Sequence, residues 1–331
     1  MHNLYPVRPK GRRRKTIALI ILSLLLVLTF LVETKSKAGV LDKAHTNPVR
    51  LPCSQTYQSG QQLFSPETAQ KILAAPEQLA PFIKSISNRR YWGLSSNLQL
   101  KKRPEAPSPY VLELAIPKGA INPGNKLAPR GGAGYHWTPE LPADTRTACL
   151  SYSVWFPQDF DFVKGGKLPG LFGGTGPSGG KKVTGTNGFS TRYMWRRKGD
   201  GEVYAYIIGN DRRGISLERG AWRFPRGKWT RLEQEVILNT PGKPDGMVRV
   251  WVNGKLMMEK TGLVYRTTRD VTISGVMAHV FFGGKKPSWA STKDTIVRMT
   301  PFDLRWSKRA SVPTLGQDAE QLDVRQYGSG H

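Results

Sequence analysis

The chain has 331 residues, enough for one large or two ordinary domains with a substantial core. Fifty basic residues stand against 24 acidic ones, and a net charge of +26 calls for a polyanionic partner. The histidines at 2, 45, 136, 279 and 331 stand apart, no His/Cys set has the spacing of a metal site, and no Gly-Lys-Ser/Thr phosphate loop occurs, so neither a metal nor a cofactor is expected.

Residues 1–38 read as a targeting segment. Arg8, Lys10, Arg12, Arg13, Arg14 and Lys15 precede the apolar run Thr16–Val32, and Glu33, Lys35 and Lys37 follow it. Without these residues the chain still holds 42 basic and 23 acidic side chains, so the body itself is strongly positive. The basic cluster keeps the N-terminus inside. Ser36-Lys37-Ala38 offers small residues for signal cleavage, but the long basic region favours an uncleaved, single-pass membrane anchor. Either way the rest of the chain is expected outside the cytoplasm, anchored or secreted. That excludes genomic nucleic acid and leaves an acidic polysaccharide as the polyanion. In such a compartment Cys53 and Cys149 form a candidate disulfide, with two free buried thiols as the alternative.

Residues 39–89 are read as a linker, 39–64, followed by short helices. Ser65-Pro66-Glu67 supplies a cap and a first-turn proline for a helix over 68–75, which Pro76 ends; 76–86 adds a turn or two. From 90 to 308 the pattern is β. Short alternating runs fall at 110–116, 150–156, 188–195, 203–208, 229–238, 248–252, 256–260, 275–282 and 296–306, and Asn253-Gly254 marks a type I′ hairpin. Many short strands with Gly/Pro turns predict an all-β sandwich or jelly roll of two antiparallel sheets. The polar tail 309–331 is expected to be disordered, and a monomer is favoured.

Within this domain, Gly188–Trp195 and Val203–Ile208 alternate with period two and flank a turn around Lys198. A hairpin centred there sets Arg192 opposite Tyr204 and Ser190 opposite Tyr206, all four on one face. Phe189, Tyr193, Trp195, Val203, Ala205 and Ile207 take the other face, which suits an interior. A one-residue slip would scatter the polar set.

Around this hairpin, Phe162 to Leu171 (with Gly165-Gly166-Lys167), Phe189-Ser190-Thr191-Arg192-Tyr193-Met194-Trp195 and Val203-Tyr204-Ala205-Tyr206 resemble the signature of polysaccharide lyase family 14. So do Gly227-Lys228-Trp229, Leu238 to Gly242, Trp251 to Gly254 and Phe281 to Gly284, over roughly residues 105–306. The resemblance implies a β-jelly roll with a groove on one sheet. It also implies lyase action on alginate or glucuronan, with Lys167, Ser190, Arg192, Tyr204 and Tyr206 as the catalytic set. These types fit β-elimination. The C5 proton of a uronate is made removable when cations hold its carboxylate, which suits Arg192 and Lys167. A tyrosinate then takes the proton. Either tyrosine meets this description; Tyr206 is preferred as base, with Tyr204 assisting and Ser190 orienting substrate. A phenol base predicts an alkaline-leaning optimum.

Lys181 and Lys182 lie in the Gly-rich stretch 173–188 and are candidates for flanking carboxylates, as is Arg196; Arg197, Arg212 and Arg213 add positive field. His279 is expected to be a satisfied sheet histidine, and Trp222 and Trp289 core residues rather than sugar platforms. The rival reading is a non-catalytic cell-surface binding protein for acidic polysaccharides.

Overall fold

The alternating runs pair into two antiparallel sheets with a shared apolar interior. The computed structural model describes residues 50–211 and 213–308. The apolar run Thr16–Val32, its basic flanks, Arg212 and the tail 309–331 lie outside the described residues. No described helix is long and apolar enough to cross a membrane.

Among the described residues sixteen strands follow in chain order: β1 Tyr57–Gln62, β2 Ser87–Trp92, β3 Leu98–Lys102, β4 Tyr110–Ile116, β5 Ala133–Trp137, β6 Thr147–Trp155, β7 Gly165–Gly174 and β8 Gly188–Arg196, then β9 Gly201–Tyr206, β10 Ile215–Leu217, β11 Trp229–Ile237, β12 Gly246–Val252, β13 Lys255–Leu263, β14 Ile273–Phe282, β15 Thr295–Met299 and β16 Asp303–Lys308. One sheet runs β13-β12-β11-β6-β15-β4-β3, with β16 also on β6 and β1 on β16. The other runs β10-β9-β8-β7-β14-β5-β2. Leu150, Tyr152, Val154, Leu232 and Val236 of the first sheet meet Leu168, Leu171, Tyr193, Trp195 and Val276 of the second in one buried cluster. This is the two-layer, jelly-roll-like sandwich that the short strands predict.

Local chemistry explains the surrounding elements. Ser65 caps α1, Pro66–Ala74, by accepting the Thr68 N–H at 3.1 Å. After it, α2 spans Leu79–Ser85 and buries Leu79 and Ile83. Asn253 and Gly254 both take positive φ (51° and 80°), the type I′ geometry expected between β12 and β13.

The sandwich takes in more chain than the alternation announces. Tyr57–Gln62, within the stretch read as linker, is edge strand β1; only Tyr57 is buried, so no alternation betrays it. The run read as one strand over 296–306 is two, β15 and β16, because both pair with β6 on either side of Pro301. Cys53 and Cys149 are joined in a disulfide with Cα atoms 5.7 Å apart, which settles the choice against free thiols. The bond ties the chain just ahead of β1 to β6, on the outer face of the first sheet.

Candidate active site

Register builds one polar face on the second sheet, the face on which the resemblance expects a groove. Across β8 and β9, Ser190 pairs with Tyr206, Arg192 with Tyr204, and Met194 with Glu202. Phe189, Tyr193, Trp195, Val203 and Ala205 point the other way into the core. The hairpin turns through Arg197–Gly199, with Lys198 at φ 59°, as the spacing requires.

Next to it, β7 carries Lys167, which the motif alone would leave in a loop. Lys167 stands opposite Met194 and Gly170 opposite Arg192, with a register shift between Leu168 and Gly170. The extra residue is Pro169, which has no N–H for the ladder and is tolerated at a bulge. The bulge switches parity, so that Lys167, Gly170 and Phe172 all face the groove while Leu168 and Leu171 stay in the core. Tyr152 Oη donates to the Pro169 carbonyl at 3.0 Å, and the Leu171 N–H donates to Gln234 Oε1 at 2.9 Å. Those bonds from the first sheet satisfy groups that the bulge takes out of the ladder. Gly170 is required: a Cβ there would lie 2.1 Å from the Thr191 carbonyl oxygen.

The result is a buried, cation-rich floor. Arg192 is 3% exposed and Lys167 9%. Lys167 Nζ lies 2.7 Å from Met194 Sδ and 4.1 Å from the centre of the Tyr204 ring. Burial drives its amine well below the usual lysine range, and the charges of Arg192 and Arg196 push the same way, opposed by Glu202. Burial also brings the Arg192 guanidinium down to about 10, opposed by Tyr206 and Tyr204, so it stays charged at neutral pH. The Tyr204 and Tyr206 rings are 5.8 Å apart and nearly perpendicular. Burial, then Tyr206, raises the Tyr204 phenol above the ordinary tyrosine value, against a backbone hydrogen bond with Gly214 and the charge of Arg196.

A loop, residues 175–187, lies along one side of this floor. Ser190 Oγ, wholly buried, donates to the Pro177 carbonyl at 2.7 Å; its hydroxyl holds the loop. Tyr206 Oη accepts the Gly180 N–H at 3.2 Å. Asn210 fastens the same loop, accepting the Val183 N–H at 2.9 Å and donating to the Lys181 carbonyl at 3.1 Å. Lys181 and Lys182 are exposed on it. Arg196 is committed elsewhere: its Nη2 meets Glu202 Oε1 at 2.5 Å and Ser216 Oγ at 3.3 Å, and its guanidinium carbon sits 5.5 Å from the Tyr204 ring centre. Glu202 is fully buried, so Arg196 neutralises it and backs the tyrosine. Trp222 is core, against Tyr193, and Trp289 packs against Gly284 beyond β14.

Sequence reasoning missed Met194, Asn210 and Glu202, whose only signal was a place on the polar face or just after it. It also placed His279 in ordinary sheet surroundings. His279 faces the groove beside His136, ring centres 5.2 Å apart. Burial, helped by Arg90 and Arg192, lowers His136 to about 4, so both histidines face an already cationic floor as neutral rings. Among the described residues, Cys53, Cys149 and Glu233 come within 4.8 Å of one another, but both sulfurs are committed to the disulfide.

Comparison with known proteins agrees with the geometry. Residues 104–302 match the family model described as Polysaccharide lyase 14. An alginate lyase of Aplysia kurodai is 30% identical, with a TM-score of 0.60 over 69% of this chain and 94% of that one. An alginate lyase of a Chlorella virus is 22% identical, with a TM-score of 0.56 over 69% and 96%, and shares the fold. Exolysin of Paramecium bursaria Chlorella virus 1 is 26% identical over 188 residues, 47% of this chain. The matched part is 29% of that relative's length.

Proposed function

Because the chain belongs to polysaccharide lyase family 14, we propose that it cleaves a 4-linked polyuronate, alginate or glucuronan, by β-elimination. The observation that carries the reading is the shared face: Lys167, Arg192, Tyr204 and Tyr206 converge on one floor in consecutive registers of β7, β8 and β9.

The uronate carboxylate docks on Arg192, whose planar fork suits it. Tyr206, as phenolate, takes the C5 proton. The C5–H electrons become the C4–C5 double bond, the C4–O4 bond breaks, and O4 takes the proton of Tyr204. The two phenols are differently placed for these tasks. The Gly180 N–H donates to Tyr206 Oη and holds that oxygen in place on the floor. The raised Tyr204 holds its proton until the leaving group needs it.

The burial of Lys167 favours a second assignment of the base. Burial loosens the hold of this amine on its proton, which suits a base, and Tyr204 lies against it. In that version Lys167 removes the C5 proton, Tyr204 still protonates O4, and Tyr206 orients the sugar.

We read the sandwich as working outside the cytoplasm; its disulfide supports this, since such bonds persist in oxidising compartments. The test of function is incubation with polymannuronate, polyguluronate and glucuronan while following the near-ultraviolet absorbance of the unsaturated product. Product from at least one is expected. Binding without product from any of them turns the reading into that of a binding protein.

A further inference from the structure

The catalytic face does not end at Arg192. Continuing across the sheet in register, Arg192 pairs with Gly170, Gly170 with Met277, and Met277 with His136. One row over, His279 pairs with Gly134 and Gly134 with Trp92. The floor therefore extends through β14 and β5 to β2, on the same side of the sheet as the tyrosines.

What stands on that extension is unusual for a sheet surface. Trp92 lies across Gly134, where any Cβ would strike the indole, and its ring centre is 6.2 Å from His279 and 5.9 Å from Phe281. Below them, His136 packs on Phe172 at 4.6 Å. His136 is 2% exposed and its Nδ1 has no hydrogen-bond partner among the described residues; the same holds for Nε of Arg192. Arg90, exposed on β2, reaches back to donate to the Thr175 carbonyl at the start of the loop. A half-buried indole and two neutral imidazoles thus lie between two guanidiniums. Packing alone asks for neither the cations nor the unpaired nitrogens.

We propose that Trp92, His279 and Arg90 form a distal sugar subsite, in which the indole carries the apolar face of a uronate ring and Arg90 with His279 holds its carboxylate. The inference rests on the polyuronate reading above and says which way the chain lies: across the strands, from β9 toward β2. Strands are spaced about 4.8 Å apart, so β8 lies roughly 19 Å from β2 and roughly 14 Å from β5, over which the indole leans, and more than one sugar is needed to reach both Arg192 and Trp92. The floor also changes character along that path, from paired cations and phenols at the elimination centre to an aromatic shelf with a single exposed arginine. Stacking with one charge-assisted contact is a binding arrangement rather than a reactive one.

The experiment compares kcat/KM for long polyuronate with that for the shortest oligouronide turned over, in wild type, Trp92→Ala and Arg90→Ala. Each variant is expected to lower the long-to-short ratio about tenfold, the loss of roughly 1.4 kcal/mol of chain binding. Arg90 is exposed, so its variant carries the test even where Trp92→Ala fails to fold. An unchanged ratio in Arg90→Ala, with Trp92→Ala either unchanged or unfolded, overturns the subsite and leaves the lyase reading standing. Absence of product from wild type removes the lyase reading instead. Calorimetric titration with polyuronate then decides the subsite, weaker binding in Arg90→Ala supporting it and equal binding overturning it.

Discussion

Gln234 of β11 and Thr191 of β8 join the two sheets through a pair of buried hydrogen bonds. Gln234 Nε2 donates to the Thr191 carbonyl at 2.8 Å, and Thr191 Oγ1 donates to Gln234 Oε1 at 3.0 Å. Both residues are completely buried. Gln234 Oε1 also accepts the Leu171 N–H beside the Pro169 bulge. One core glutamine therefore fixes the strands that carry Lys167 and Arg192.

Gln234→Leu should accordingly do more than lose a contact. It leaves the Leu171 N–H and the Thr191 carbonyl unpaired in an apolar interior, at a cost of about 2–3 kcal/mol. Urea unfolding should show a lower midpoint with an unchanged slope. An unaltered midpoint would mean that β7 and β8 hold their bulge without help from the other sheet.

Lys167 illustrates stability given up for function. Its proton is held more weakly in the folded chain than in the unfolded one, where the amine has its ordinary value of 10.5. The unfolded state binds the extra proton from the depressed folded value up to 10.5, so this group makes stability rise with pH across that whole interval. Lys167→Met should therefore be more stable at pH 7, by about 1–2 kcal/mol or a few degrees in Tm, and it should be inactive if Lys167 is the base. The advantage should shrink as pH approaches 10.5, because the unfolded wild type then loses its proton as well and folding no longer has to release one. Thermal unfolding of both proteins at pH 7 and pH 10 measures it, and a gap that widens with pH contradicts the sign.

The polar face of β8 and β9 was legible because strict alternation leaves only one register that buries Phe189, Tyr193 and Trp195 together. Lys167 was legible as a motif but not as a strand residue. Its strand is rich in glycine and broken in parity by Pro169, and the groups that repair the break, Tyr152 and Gln234, lie on another sheet. His136, His279 and Trp92 were hidden for a related reason. Each sits on a different strand, and only the pairing order β14-β5-β2 brings them side by side. Ser190 was expected to orient substrate from the polar face; it lies on that face, but its buried hydroxyl is spent on the Pro177 carbonyl, in a loop whose path no periodicity describes.

The two tyrosines should separate by pH. With Tyr206 as the base, kcat/KM rises toward alkaline pH, since only the phenolate reacts. Tyr206→Phe should lower kcat about 100-fold or more, with the fold intact by circular dichroism. Tyr204→Phe should cost less on substrates with a good leaving group than on the polymer, because its proton serves O4. A rate already flat through neutral pH, and little changed in Tyr206→Phe, would assign proton removal to Lys167.

The disulfide gives a prediction that sets stability apart from chemistry. Cys53 and Cys149 are separated by 96 positions and are 1% and 0% exposed. Closing so long a loop stabilises the folded chain by about 3–5 kcal/mol, chiefly by restricting the unfolded one. The bond lies over the outer face of the first sheet, near Trp251 and Tyr57, whereas the groove belongs to the second. Replacing both cysteines by alanine should lower Tm by roughly 10 °C, at the 2–4 °C per kcal/mol usual for chains of this size. At temperatures well below the new transition, kcat on polyuronate should be unchanged. A fall in kcat under those conditions would show that the N-terminal clamp reaches through the sandwich, by way of β6 and Tyr152, to the bulge that presents Lys167.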